Sequence, residues 1–232
     1  MLEKLKLEVY EANMALSRSG LVFGTFGNVS GIDRESGLVV IKPSGIEYSA
    51  LRPEDMVVTD LNGNVVEGKY RPSSDTQTHV KIYSDMPSVG GICHTHSMYA
   101  TSFAQSGRGI SAYGTTHADY FDGEIPCTRR LTPKEIAGEY EYNTGAVIVE
   151  TFKDRDPDSM RAVLVNSHGP FTWGKNAGES VQNSVYLEFV AQMALNTELL
   201  RSACATCVPM QNKLLRRHFD RKHGKNKYYG QG

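Results

Sequence analysis

Apolar positions along the chain recur with helical and strand periods in turn. Over residues 2–18, Leu2, Leu5, Val9, Tyr10, Ala12, Met14 and Leu16 are spaced among charges as on one face of a helix, with Gly20 as its stop. The runs 37–41 and 56–59 predict short strands, punctuated by Lys42, Pro43, Ser44 and Gly45. Asn62 and Gly63 predict a hairpin turn into Val65 and Val66. A helix is expected over 76–85, carrying His79 and Ile82. A strand over 89–93 then delivers His94 and His96, and a further helix spans 97–105. Thr132, Pro133 and Glu135 have the order of a helix start with a capping box. The runs 146–149 and 162–165 read as strands, and 166–170 as a loop. A long helix is expected from 178 to about 200. A last one runs from Pro209 to about His218, ahead of a basic, aromatic tail. Strand segments interleaved with helices predict an α/β fold with helices packed over a central sheet, and the hairpin spacings favour antiparallel or mixed pairing.

Composition narrows the class. A chain of 232 residues suffices for one sizeable core, no low-complexity joint divides it, and 40% hydrophobic residues is ordinary for a globular protein. One domain over 1–232 is expected. Lys plus Arg total 25 against 26 Asp plus Glu, so there is no general field to attract nucleic acid. A local pocket for a small anion stays compatible with that balance. No run reaches the length of a membrane span and the opening residues lack a signal-peptide pattern, so no membrane partner and a cytoplasmic location are expected. Cys204 and Cys207 have metal-site or redox spacing. They follow a helical pattern and lack a second ligand pair, which favours a structural or incidental role.

The candidate chemistry centres on histidine. His94 and His96 are two residues apart, and on an extended strand such side chains share a face. Catalytic zinc commonly takes three protein ligands and keeps one position open. His168, in a loop stiffened by Gly169 and Pro170, is the best third candidate; His79 and His117 are rivals that spacing does not eliminate. Imidazole suits the task because it ligates while neutral and keeps a second nitrogen for an orienting partner. The plain alternative is a polar surface pair or hydrogen-bonded core histidines.

Seven ordered segments carry a family resemblance. They are Asn28-Val29-Ser30, Lys42 to Gly45, Pro72 to Thr76, His94 to Ser97, Gly114 to Tyr120, Ile125 to Thr128, and His168 to Gly174. With the opening helix and the Tyr228-Tyr229 tail, they resemble the class II aldolase/epimerase family over essentially the whole chain. The resemblance implies a three-layer α/β/α fold around a mostly antiparallel sheet. It also implies a C4 homotetramer with active sites between subunits, the tail from about 219 to 232 completing a neighbour's site. Metal ligation maps onto His94, His96 and His168, with Asp75 beside the ion. The related aldolases carry Glu where this chain has Asp75, which favours epimerase chemistry. An acid/base pair maps onto Asp119 and Tyr229, the latter from a neighbouring subunit, with His218 and Arg221 as interface support. A phosphate pocket maps onto Gly27, Asn28, Lys42, Ser44, Gly45, Ser73 and Ser74, and Phe26, Tyr113 and Tyr120 are candidates to line the remaining space. Unaided by the resemblance, Ser73 and Ser74 read as a turn and Asp119 as a cap.

The implied reaction is reversible C4 epimerisation of L-ribulose 5-phosphate to D-xylulose 5-phosphate. The C4 hydrogen is not adjacent to the C2 carbonyl, so enolisation does not acidify it, and cleavage and re-formation of C3–C4 is the chemistry that remains. The implied cofactor is Zn²⁺, with Mn²⁺ or Co²⁺ as substitutes. The competing expectations are a sugar-phosphate aldolase that releases the fragments and a non-catalytic metal-binding assembly protein.

Overall fold

The structure, a computed structural model, describes residues 2–203, 208–225 and 227. Seven strands form one sheet: β1 (Asn28–Asp33), β2 (Leu38–Ile41), β3 (Val57–Thr59), β4 (Val65–Glu67), β5 (Gly91–His94), β6 (Ala162–Leu164) and β7 (Pro170–Gly174). Their order is β4-β3-β2-β1-β5-β7-β6, and every neighbouring pair is antiparallel. The helices are α1 (Glu3–Arg18), α2 (Thr76–Asp85), α3 (Met98–Ser106), α4 (Thr115–Ala118), α5 (Pro133–Ala137), α6 (Tyr140–Thr151), α7 (Ala177–Ala203) and α8 (Asn212–His223).

Side chains alternate across a strand, so each strand feeds two cores. Val29, Val40 and Cys93 pack against Val9, Ala12 and Leu16 of α1 on one face. Ile32, Val39 and Ile92 join Ile82 and Tyr83 of α2 and Ile148 of α6 on the other. Helices therefore cover both faces, the three-layer arrangement expected. Asn13 fixes α1 to the sheet: its amide donates to the Val29 carbonyl at 3.1 Å and its oxygen accepts the Val29 N–H at 3.0 Å. The capping box at Thr132 is present, with the Thr132 hydroxyl and the Glu135 side chain each accepting the other's N–H.

Three readings of the chain need correction. The run 146–149 is not a strand but the middle of α6. A short apolar run has no readable period, and here tertiary packing decides. Gly145 lets α6 lie against α2, since a Cβ there would stand 2.7 Å from Lys81 Cβ and 2.9 Å from the Thr78 carbonyl. The Thr78 hydroxyl closes the same contact by donating to the Glu141 carbonyl at 2.7 Å. The last helix starts later and runs further than 209–218, so residues 219–223, assigned to the tail, are its final turns, with Leu215 and Phe219 buried. Two strands lie where none was expected: β1, whose Ser30 and Gly31 interrupt an apolar pattern, and β7, which opens on Pro170, the last residue of the expected 166–170 loop and a position needing no ladder N–H.

Gly145→Val is expected to lower unfolding stability by about 1–3 kcal/mol, the usual cost of overpacking. Urea denaturation followed by circular dichroism checks it, and a midpoint at or above that of the unsubstituted protein would count against close α2–α6 packing.

Candidate active site

Three central strands bring the site together by register. Asn28 of β1 pairs with His94 of β5, and His94 pairs with Phe171 of β7, so the three lie side by side at one end of the sheet. The chain leaving β5 carries His96, and the turn from β6 to β7 carries His168. The three imidazole centroids stand 4.8–5.1 Å apart in tilted or edge-on pairs, and one ligand-capable atom from each lies within 4.8 Å of the others. Among the described residues, neither His79 nor His117 joins that set. The His79 Nδ1 instead meets the Ser30 hydroxyl at 2.6 Å, and the His117 Nε2 donates to the Gly123 carbonyl at 2.7 Å.

Each ligand candidate is buttressed. The His94 Nδ1 donates to the Pro170 carbonyl at 2.9 Å, leaving Nε2 for a ligand, and Phe171 stacks on the ring at 4.1 Å and 17°. Gly169 lets the turn pass under the rings, because a Cβ there would lie 2.7 Å from the Thr95 carbonyl and 3.1 Å from His96 Cδ2. Ser167, beside His168, is held in the left-handed region at φ 62°, a strain of about 1–3 kcal/mol. The His168 Nδ1 is buried without a hydrogen-bond partner. Burial first, then the neighbouring imidazoles, push His168 down to about 4, so it is a neutral donor at pH 7. Three converging imidazoles, one of them with an orphaned buried nitrogen, fit a divalent cation.

Beside the trio opens a cleft of about 370 Å³. Its floor holds Asp75, whose carboxylate accepts the Asn28 amide at 2.6 Å. Burial raises the Asp75 carboxyl, but facing His94, His79 and the Asn28 amide more than offset this and hold it below its ordinary value. The far wall is made by Gly27, Lys42, Ser44, Gly45, Ser73 and Ser74. Lys42 is only 2% exposed, and its ammonium touches the Thr25 and Pro43 carbonyls at 3.4 Å and lies over the Tyr48 ring. Burial pushes it down to about 8. A buried cation with only long contacts, among hydroxyls and turn N–H groups, fits an anion.

The structure does not bring every candidate here. Asp119, at the end of α4, does not line the cleft; its carboxylate is held by His218 and Arg221 of α8. Phe26 lines the cleft, but Tyr113 lines another cavity and Tyr120 stacks on Tyr186. Tyr229, Cys204 and Cys207 lie outside the described residues. Tyr140 and Glu141, at the start of α6, line the cleft and went unremarked in the sequence. Only the α2–α6 contact places them there, so no local pattern announces them.

Residues 7–195 match the class II aldolase and adducin N-terminal domain. The chain belongs to that family. It is 54% identical over 230 residues, 99% of this chain and 100% of the relative, to L-ribulose-5-phosphate 4-epimerase UlaF of Salmonella paratyphi B, and equally to that of Salmonella paratyphi A. Among solved structures, an L-fuculose 1-phosphate aldolase aligns with a TM-score of 0.75 at 27% identity, covering 93% of this chain and 94% of that one. YgbL from Klebsiella pneumoniae, titled a putative aldolase/epimerase/decarboxylase, aligns at 0.71 and 20% identity, covering 94% and 99%, which speaks to the fold alone. No helix among the described residues is long and apolar enough to cross a membrane.

Alanine at His94, His96 or His168 is expected to cut bound metal from about one equivalent per chain to a small fraction, read by elemental analysis of the dialysed protein. Retention of full stoichiometry in all three would remove the trio as ligands. Acid sensitivity follows from the buried imidazoles. Burial pushes His79 down to about 3 and His117 down to about 4, below the 6.5 ordinary for histidine. Their folded values are depressed, so the unfolded chain binds more protons, and the metal-free protein loses stability as pH falls from about 6.5 towards 4. Thermal melts across that window check it; a flat profile would contradict neutral burial.

Proposed function

We propose that the chain is a metal-dependent L-ribulose-5-phosphate 4-epimerase, interconverting L-ribulose 5-phosphate and D-xylulose 5-phosphate by breaking and re-forming C3–C4. The observation that carries this reading is one cleft in which a three-imidazole cluster adjoins an anion cradle, in a family member sharing 54% identity with full-length epimerases. Zn²⁺ fits three imidazoles best, with Mn²⁺ or Co²⁺ as working substitutes. A cation there supplies Lewis-acid stabilisation of negative charge developing on the sugar oxygens.

The chain's own residues divide the remaining work. Lys42, Asn28, Ser44, Ser73 and Ser74, with the backbone at Gly27 and Gly45, grip the phosphate and so keep the aldehyde fragment tethered while C3–C4 is open. The fragment turns about that anchor and presents its other face. Asp75, fixed by Asn28, orients the polyol end. Asp119 and Tyr229 serve as the proton-exchanging pair at the C4 oxygen, one for each face.

Asp119 is outside its own chain's cleft, and the α8 helix gripping it ends six residues before Tyr229. Both members of the pair therefore reach the cleft of a neighbouring copy, which favours a C4 homotetramer over a working monomer. The exposed Phe23 and Met98, next to Phe26 and His96 at the cleft's rim, give such a copy an apolar seat.

The deciding experiment is a metal-replete assay on L-ribulose 5-phosphate with the product's stereochemistry determined. D-xylulose 5-phosphate is the expected product; accumulation of free glycolaldehyde phosphate would make the chain an aldolase, and no turnover a binding protein. Asp119→Asn and Tyr229→Phe are each expected to lower kcat by about 10²- to 10⁴-fold, the range for losing a general acid or base. Unchanged rates in both directions would remove that residue from the chemistry.

A further inference from the structure

Asp119 is seated among basic side chains from a single helix. The Arg221 guanidinium donates from Nε and Nη2 to Oδ1 at 3.2 and 3.0 Å, and from Nη2 to Oδ2 at 2.8 Å. The His218 Nδ1 reaches Oδ1 at 3.1 Å and the Lys222 ammonium stands 3.7 Å from Oδ2. His223 donates from Nε2 to the Asp119 backbone carbonyl at 2.9 Å. On α4 itself His117 turns to the Gly123 carbonyl, and on α7 Tyr186 faces Tyr120, over whose ring Lys222 lies at 4.1 Å. Asp122, past the end of α4, is paired with Arg216.

Two features make this more than a surface ion pair. Asp119 is only 9% exposed, so its carboxylate cannot reorient freely into water. A guanidinium reaching both carboxylate oxygens fixes direction as well as charge, which a lysine does not. The apolar share of the seating comes from Leu215, which packs on Ala112 and Ala118 with Met210, and from the buried Phe219. The ionic grip adds direction to that seating of α8 against α4.

We infer that Arg221 is a positioning residue for the proposed epimerisation: it aims the Asp119 carboxylate and seats the helix that leads to Tyr229, and it does not bind the substrate phosphate. This rests on the reading that Asp119 exchanges a proton with the C4 hydroxyl. A carboxylate gripped this way accepts a proton only when aimed at a donor, and arrives at the neighbouring cleft charged. Burial raises the Asp119 carboxyl, and the hydrogen bonds from Arg221 and His218 with the Lys222 charge outweigh it, so the group lies below its ordinary value. Removing the guanidinium moves it up.

The test uses the assembled, metal-replete enzyme and compares Arg221→Met, Arg221→Lys, Asp119→Asn and, as a control on the same helix, Arg216→Met. Arg221→Met is expected to lower kcat by about 10- to 100-fold, the scale for losing the partner that orients a functional group, with KM little changed. Its acid limb in the pH profile of kcat/KM moves to higher pH. Arg221→Lys keeps the limb near its original position but recovers only part of kcat, and Arg216→Met matches the unsubstituted enzyme in both. A rise in KM for Arg221→Met, with kcat and the limb unmoved, would overturn the inference in favour of phosphate binding. If Arg221→Met does not assemble, Arg221→Lys decides: reduced kcat in an intact assembly supports the inference and normal kcat overturns it. Asp119→Asn separates the two levels. Its inactivity beside a normal Arg221→Met defeats the positioning role alone, whereas full activity of Asp119→Asn defeats the proton role on which it rests.

Discussion

Everything in the candidate site depends on three imidazoles held edge-on around one point. Rings so arranged gain little from one another, and burial makes protonating His168 costly. The protein holds them through neighbours that have no chemistry of their own. Phe171 stacks on His94, the Pro170 carbonyl fixes its proton, and Gly169 clears the space the rings share. Even the left-handed backbone at Ser167 belongs to this assembly, a local strain sustained by the N–H bonds of Ser167 to Ala104 and of His168 to Val165. Such support is how a cluster that would otherwise relax stays open for a cation.

The antiparallel sheet converts that requirement into a matter of register. Asn28, His94 and Phe171 are neighbours across β1, β5 and β7, so a slip of one residue in either pairing would turn a ligand or its buttress to the opposite face. The same register brings Asn28 to Asp75 at the start of α2, linking the cation side of the cleft to its anion side. Beneath it, Ser30 bridges His79 and Tyr83 in a buried polar chain that occupies the rival histidine. His79 is thereby spent on the fold.

Charge is partitioned with equal consistency. Within the cleft, burial weakens the charge of Lys42 and keeps His168 neutral, so the cleft is receptive to an anion and to a metal without being a general cationic patch. Outside it, Asp119 collects Arg221, His218 and Lys222 on a helix of the same chain. The two halves of the proposed reaction are thus built on separate parts of one chain. The proposed homotetramer would bring them together.

Local chemistry was enough to announce much of this. The amphipathic period of α1, the bounds of α2, the capping box at Thr132, and strands β2, β3 and β6 all follow from spacing and turn residues. The segment order carried the family, and with it the three histidines and the turns proposed to bind phosphate. What spacing alone could not settle was which apolar run becomes a helix and which third histidine joins His94 and His96. Residues 146–149 are helical because Gly145 lets that segment lie on α2, and that contact also delivers Tyr140 and Glu141 to the cleft. His168 joins His94 and His96, while His79 does not, because strand register and buried hydrogen bonds aim the rings. The chain order fixes which side chains exist and their local bias; only packing between distant segments fixes which of them meet, since that depends on contacts no short window contains.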